Sequence, residues 1–229
     1  MSAQNLGTLL AGAARRFGFE ELLSGAATAR EALAQAGLEA NEPVHVRVSN
    51  QPRDLAAYLG VWLAGGVVVP LHRGSPEGAT RHVLSKTQAR FEIDGELRSL
   101  RSEAPPRRPM LEGAALIVLT SGSSGLPKGA VLSHQAFAGK LAAIQSLLGF
   151  GAGERTLLVL NITFSFGIWV ALLTLLHGGR LVTRERFSAS SFLKDLEEEQ
   201  ITRVAVVPTM MRSLILDLPP ERLQCRAAS

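Results

Sequence analysis

The stretch "LTSGSSGLPKGA", residues 119–130, places four hydroxyls, three glycines, a proline and one lysine in twelve residues. It follows Ala115-Leu116-Ile117-Val118-Leu119, a short apolar run that reads as a buried strand, "ALIVLT" (115–120). The residues after it, "SHQAFAGKLAAIQSLLG", read as a helix. Phe137, Leu141, Ile144 and Leu148 fall at i, i+4, i+7 and i+11, Ser133 suits the N-cap and Gly149 the stop. The stretch is therefore read as a loop running from the C-terminal end of a strand into a helix. In open α/β sheets that end of the strands is where ligands bind.

The loop's chemistry suits a polyphosphate. Gly122, Gly125 and Gly129 let the backbone turn with its amides exposed, Thr120, Ser121, Ser123 and Ser124 add hydroxyl donors, and Lys128 supplies a point charge. The spacing is not that of a GxxxxGK[ST] loop, because Pro127 stands directly before the lysine. On composition alone a flexible Ser/Gly connection that happens to hold a lysine is an equal reading.

Working outward, strand-like and helix-like segments alternate. "VHVRV" (44–48), "VVVP" (67–70), "RFEI" (90–93), "TLLVL" (156–160), "RLVT" (180–183) and "RVAVV" (203–207) read as strands. Helices are expected over 52–66, 75–88, 133–149, 167–177, 190–199 and 209–218. The fold class is α/β, with mainly parallel sheets covered on both faces by helices. The proline-rich segment 98–110 is the expected boundary between two sub-layers, 1–97 and 111–229.

The bulk numbers exclude several functions. The chain has 229 residues, 46% hydrophobic and 19% charged, enough for a real core. A formal charge of +4 is spread out and aromatics make up 5%, which argues against nucleic acid. The run Arg98, Arg101, Arg107 and Arg108 sits among prolines as a solvated connection. One cysteine, Cys225, fits a reducing compartment such as the cytoplasm. "FGIWVALLTLL" is too short to cross a bilayer and reads as a buried helix. His45, His82 and His177 show no metal spacing, and Asp195-Leu196-Glu197-Glu198-Glu199 reads as a solvated helix face.

The string "LTSGSSGLPKGAVLSH" resembles the phosphate-loop motif of the adenylate-forming enzymes: acyl- and aryl-CoA ligases, nonribosomal peptide synthetase adenylation domains, and luciferases. "WLAGGVVVPLH" (62–72), "FSFGIWVALLTLLHGGRLV" (164–182) and "VAVVPTMMRSLI" (204–215) also resemble that family, in the right order. The resemblance implies an incomplete large N-terminal domain of such an enzyme. It implies that a carboxylate attacks the α-phosphate of MgATP, giving an acyl-adenylate and pyrophosphate. A thiol of coenzyme A or of a phosphopantetheine carrier protein then takes the acyl group. Lys128 and Thr120 would act in catalysis. Thr120, Ser121, Gly122, Ser123, Ser124, Gly125, Lys128 and Gly129 would hold the nucleotide's phosphates.

By the same resemblance, Phe164, Ser165, Gly167 and Trp169 would line the acid site; plain packing of a buried helix is the other reading. Ser165 stands where amino-acid-activating relatives carry an Asp, so the resemblance implies an apolar aryl or aliphatic acid. His134 is read as part of the capping turn beside Ser133 rather than a phosphate contact, and His72 as structural. The relatives' Mg²⁺ ligand, ribose-binding Asp and catalytic Lys of the small C-terminal domain have no counterpart in these 229 residues. Three expectations stay open: a piece of a longer ligase, half of a split enzyme, or a non-catalytic binding module. An open sheet edge and possible self-association are expected with each.

Overall fold

The computed structural model describes residues 5–121 and 127–217. β1 (Pro43–Val48), β2 (Val67–His72), β3 (Phe91–Asp94), β4 (Glu96–Ser99), β5 (Ala114–Ser121) and β6 (Pro127–Ser133) form one sheet in the order β4-β3-β1-β2-β5-β6. β1 pairs in parallel with β2 and β3, and β2 with β5, while β4 and β6 add antiparallel edges. β7 (Arg155–Leu158), β8 (Arg180–Thr183) and β9 (Arg203–Val204) make a second, fully parallel sheet in the order β8-β7-β9. The segment 98–110 joins two strands of the first sheet, and the second sheet begins only at β7.

Three strands depart from the sequence reading. β4 is an added hairpin strand, turned at Gly95 with φ +79°, and its exposed residues hide the apolar period that marks a strand. β6 replaces the expected run of loop into helix, and β9 is two residues long where five were expected. β6 lies at an edge and its residues are half-buried or exposed, so it carries little of the apolar signal of a central strand.

The helices are α1 (Leu6–Phe17), α2 (Glu20–Gln35), α3 (Pro52–Leu63), α4 (Glu77–Thr87), α5 (His134–Leu148), α6 (Ser165–Leu176), α7 (Ala189–Glu198) and α8 (Pro208–Asp217). One core joins α1, α3, α5 and α6 to the inner faces of both sheets, through Leu10, Tyr58, Trp62, Leu116, Phe137 and Leu172. α4 covers the outer face of the first sheet through Val83 on Val69 and Leu71. α7 and α8 cover the second through Phe192 and Leu214 on Leu157 and Val182. The layers therefore run helix, sheet, helices, sheet, helices. Among the described residues, no helix is long and apolar enough to cross a membrane.

α3 shows why the middle layer is tight. Every residue from Asp54 to Trp62 is buried. A Cβ on Gly60 would meet Ala29 Cβ at 2.6 Å and Ala26 O at 2.8 Å, so α2 and α3 approach nearly backbone to backbone. Pro52 opens the helix. The Asp54 carboxylate accepts from the amides of Ser49 at 2.8 Å and Gln51 at 2.9 Å, fixing its start.

Candidate functional site

The described residues of the candidate phosphate loop sit on two paired strands. β5 and β6 pair with Thr120 opposite Lys128 and Ser121 opposite Pro127. Pro127, without an N–H, takes the first position of β6, where no ladder bond needs one. The Thr120 hydroxyl donates to the Lys128 carbonyl at 3.3 Å. Directly opposed residues share one face of a pair, so the hydroxyl and the ammonium project together. Both are exposed, and among the described residues Lys128 makes no ion pair. Gly129 lies opposite Leu119, and a Cβ there would come within 2.8 Å of Ile117 Cγ2. Gly122, Ser123, Ser124 and Gly125 lie outside the described residues.

Of the candidate acid-site residues, Phe164 ends the turn after β7, and Ser165, Gly167 and Trp169 lie on α6. The sheets meet at the C-terminal ends of their strands: Asn50, just past β1, donates through Nδ2 to Leu160 O at 2.8 Å and Arg184 O at 3.2 Å. Leu160 follows β7 and Arg184 follows β8. β1, β2 and β5 run in parallel, so Thr120 and the 160–165 turn lie at the same edge of the molecule. Phe164 is 60% exposed there, and Ser165 opens α6 half-buried. Gly167 is buried; its Cβ would stand 2.5 Å from Asn161 O. Trp169 stacks on Phe166 with centroids 4.9 Å apart. These four residues do not share one lining: Phe164 projects outward, Gly167 meets backbone, and Trp169 packs along the helix.

The histidines are structural. His134 Nδ1 accepts from the Leu6 amide at 3.1 Å, and its ring meets Trp62 edge-on at 6.2 Å. Burial lowers its pKa, which suits a ring nitrogen that accepts. Ser133 Oγ accepts from the Ala136 amide at 3.1 Å, the expected cap. His72 Nδ1 accepts from Gly74 N at 3.0 Å. Among the described residues no three His, Cys, Asp or Glu side chains cluster as metal ligands.

The acidic run is only partly a solvated face. Asp195 is buried and accepts from Arg184 Nε at 2.9 Å and Nη2 at 2.7 Å, because α7 turns it in towards the end of β8. A cavity of about 1290 Å³ lies elsewhere, between α2, α3 and β8, with Leu22, Leu55, Ile93, Leu97 and Leu181 in its lining. None of the described candidate site residues lines it.

Sequence reading missed Asn50 and Tyr58. The Tyr58 hydroxyl donates to Ile162 O at 2.9 Å. The available signal was "VSNQPRD", an Asn ahead of a proline-started helix, where a left-handed residue fits.

The fold is mainly parallel α/β, and Thr120 and Lys128 lie on paired strands at the strand ends. The model of the AMP-binding enzyme family matches residues 5–105 and 94–228, and the chain belongs to that family. It is 28% identical over 193 residues, 82% of this chain and 2% of the other, to a probable non-canonical nonribosomal peptide synthetase, CymA, of Salinispora arenicola. It is 28% identical over 250 residues, 92% of this chain and 49% of the other, to sulfoacetate–CoA ligase of Cupriavidus necator. The O-succinylbenzoate coenzyme A synthetase of Bacillus subtilis, solved with AMP, superposes with a TM-score of 0.77 at 20% identity. That match covers 93% of this chain and 65% of the other. The chain thus spans about half the length of the curated CoA ligase and a small part of the peptide synthetase.

Proposed function

We propose that this chain supplies the phosphate-gripping and acid-binding part of an ATP-dependent carboxylic acid ligase acting in the cytoplasm. The observation that carries the reading is the juxtaposition of Thr120 and Lys128 on the paired strands β5 and β6 at the C-terminal edge of a parallel sheet. A carboxylate oxygen attacks the α-phosphorus of ATP and the bond to the bridging oxygen breaks. Pyrophosphate leaves, and the product is an acyl-adenylate. Thr120, Ser121, Gly122, Ser123, Ser124, Gly125, Lys128 and Gly129 take the β- and γ-phosphates. The charge gathering on departing pyrophosphate then meets donors already in place. A thiol of coenzyme A or of a carrier protein next attacks the acyl carbon and releases AMP. Mg²⁺ would partly neutralise the nucleotide's phosphates.

Ser165 carries no charge to hold an α-ammonium, and Phe164, Phe166 and Trp169 offer aromatic surface, which favours an aryl or aliphatic acid over a free amino acid. The test is carboxylate-dependent ATP–pyrophosphate exchange. The native-length protein from its own cells, identified by intact mass, is expected to exchange, and residues 1–229 alone are not. Absence of exchange in the native form with aryl, aliphatic and amino acids alike would refute the reading.

A second reading is half of a split enzyme. In that reading a second chain would cover Met211, Ile215 and Leu216 on α8, exposed at 45%, 62% and 75%. A native species of 24.4 kDa that co-purifies with a second chain would support it.

A further inference from the structure

The turn that carries Phe164 and Ser165 is held from the other sheet. Asn50 is 2% exposed and has φ +63°, in the left-handed region. Its side chain spends every hydrogen-bonding group but one on the second sheet. Nδ2 donates to Leu160 O and Arg184 O, and Oδ1 accepts from the Ile162 amide at 2.9 Å. Tyr58, fully buried on α3, donates its hydroxyl to Ile162 O. Both backbone polar groups of Ile162 are thus satisfied by side chains from around the first sheet. The rest of the turn is local: Asn161 Oδ1 accepts from Thr163 N at 2.8 Å, and Asn161 O from Phe164 N at 3.2 Å.

A left-handed position alone would be served as well or better by glycine. What glycine cannot supply is the three hydrogen bonds. We infer that Asn50 and Tyr58 are positioning residues: together they set the 160–164 turn, and through it the geometry with which Phe164 and Ser165 meet a carboxylic acid. They touch neither acid nor nucleotide. The acid part of this inference rests on the proposed function; the holding of the turn does not.

The test uses the native-length protein with the variants Asn50→Gly and Tyr58→Phe. Asn50→Gly keeps the positive φ without strain, and Tyr58→Phe keeps the buried ring. Amide exchange of the segment 158–166 is followed by mass spectrometry, and binding of benzoate, octanoate and ATP by calorimetry. Exchange in 158–166 is expected to quicken at least tenfold in Asn50→Gly and several-fold in Tyr58→Phe, with β1, β2 and β5 unchanged. The dissociation constant for whichever carboxylate binds should rise about tenfold, while that for ATP stays within twofold. A purely structural role would move both ligands or neither.

Unchanged exchange in both variants overturns the inference, as does quickened exchange with unaltered carboxylate binding. If exchange quickens but the wild-type chain binds no carboxylate, the hold on the turn stands and its assignment to an acid falls. Should Asn50→Gly fail to fold, Tyr58→Phe decides by the same criteria.

Discussion

Thr120 and Lys128 face each other across the β5–β6 ladder, and the Thr120 hydroxyl donates to the Lys128 carbonyl. The lysine's stem is thereby fixed at its root while its ammonium stays in solvent. Hydrogen bonds to a charged partner contribute about 1.5–3 kcal/mol, or roughly ten- to a hundredfold in affinity. Lys128→Ala is expected to weaken ATP and pyrophosphate binding by that factor and leave carboxylate binding within twofold. Calorimetric titration of the variant with each ligand measures it, and unchanged nucleotide affinity would remove Lys128 from the phosphate site. Lys128→Arg should recover only part of the loss, since a planar fork cannot reproduce a point charge on the same stem.

His45 makes stability depend on pH. It is 1% exposed in β1, and Thr87 Oγ1, 2.8 Å from its Nε2, already donates to Val83 O. Nε2 therefore carries the proton and donates to Thr87. Burial first, and Arg47 second, lower its pKa from 6.5 to about 4. The neutral ring is the form that folds, so its full contribution is present above pH 6.5. Below that the unfolded chain binds a proton the folded chain refuses, and stability falls as pH drops towards 4, by about 3 kcal/mol in total. Urea midpoints from pH 7.5 to 4 should show this slope, and His45→Gln should flatten it. A wild-type profile as flat as the variant's would contradict the assignment.

Much of this architecture is written in residue periods, and the exceptions have physical causes. β1, β2, β5 and β7 are short apolar runs because both their faces are covered, and α6 is apolar all round for the same reason. β6 was hidden because an edge strand next to solvent needs no apolar alternation, and Gly129 and Lys128 look like loop residues. The family was legible because the string from Leu119 to His134 is a long contiguous motif rather than a composition. Asn50 was not, since its partners are main-chain groups 110 to 134 positions away. Asp195 looked like one of several surface carboxylates because its partner, Arg184, lies on a different element.

That pair gives a third prediction. Asp195 holds Arg184 bidentately where β8 ends, and the hydrogen bond and charge of Asp195 raise the pKa of Arg184. The Arg184 side chain is 36% exposed, so solvent screens part of the attraction. Asp195→Ala is expected to cost about 1–2 kcal/mol, and Asp195→Asn somewhat less because one acceptor remains. The urea midpoint measures both. A destabilisation under a few tenths of a kcal/mol would mean the pair is replaced by water without loss.

Gly167 joins stability to the acid site. It lies in the first turn of α6, where helix and turn backbones approach so closely that a Cβ would stand 2.5 Å from Asn161 O and 3.0 Å from Leu160 O. Those atoms are backbone and cannot swing away as a side-chain tip could. In an open helix Gly→Ala stabilises by about 1 kcal/mol. Here the sign reverses, because α6 or the 160–164 turn must shift. Overpacking of a tight interior costs about 1–3 kcal/mol. Gly167→Ala is therefore expected to lower the urea midpoint and weaken carboxylate binding, with ATP binding retained. Trp169, two residues on, reports the shift through its fluorescence against the Phe166 ring. An alanine variant as stable as the wild type, with unmoved Trp169 emission, would show that helix and turn have room to part.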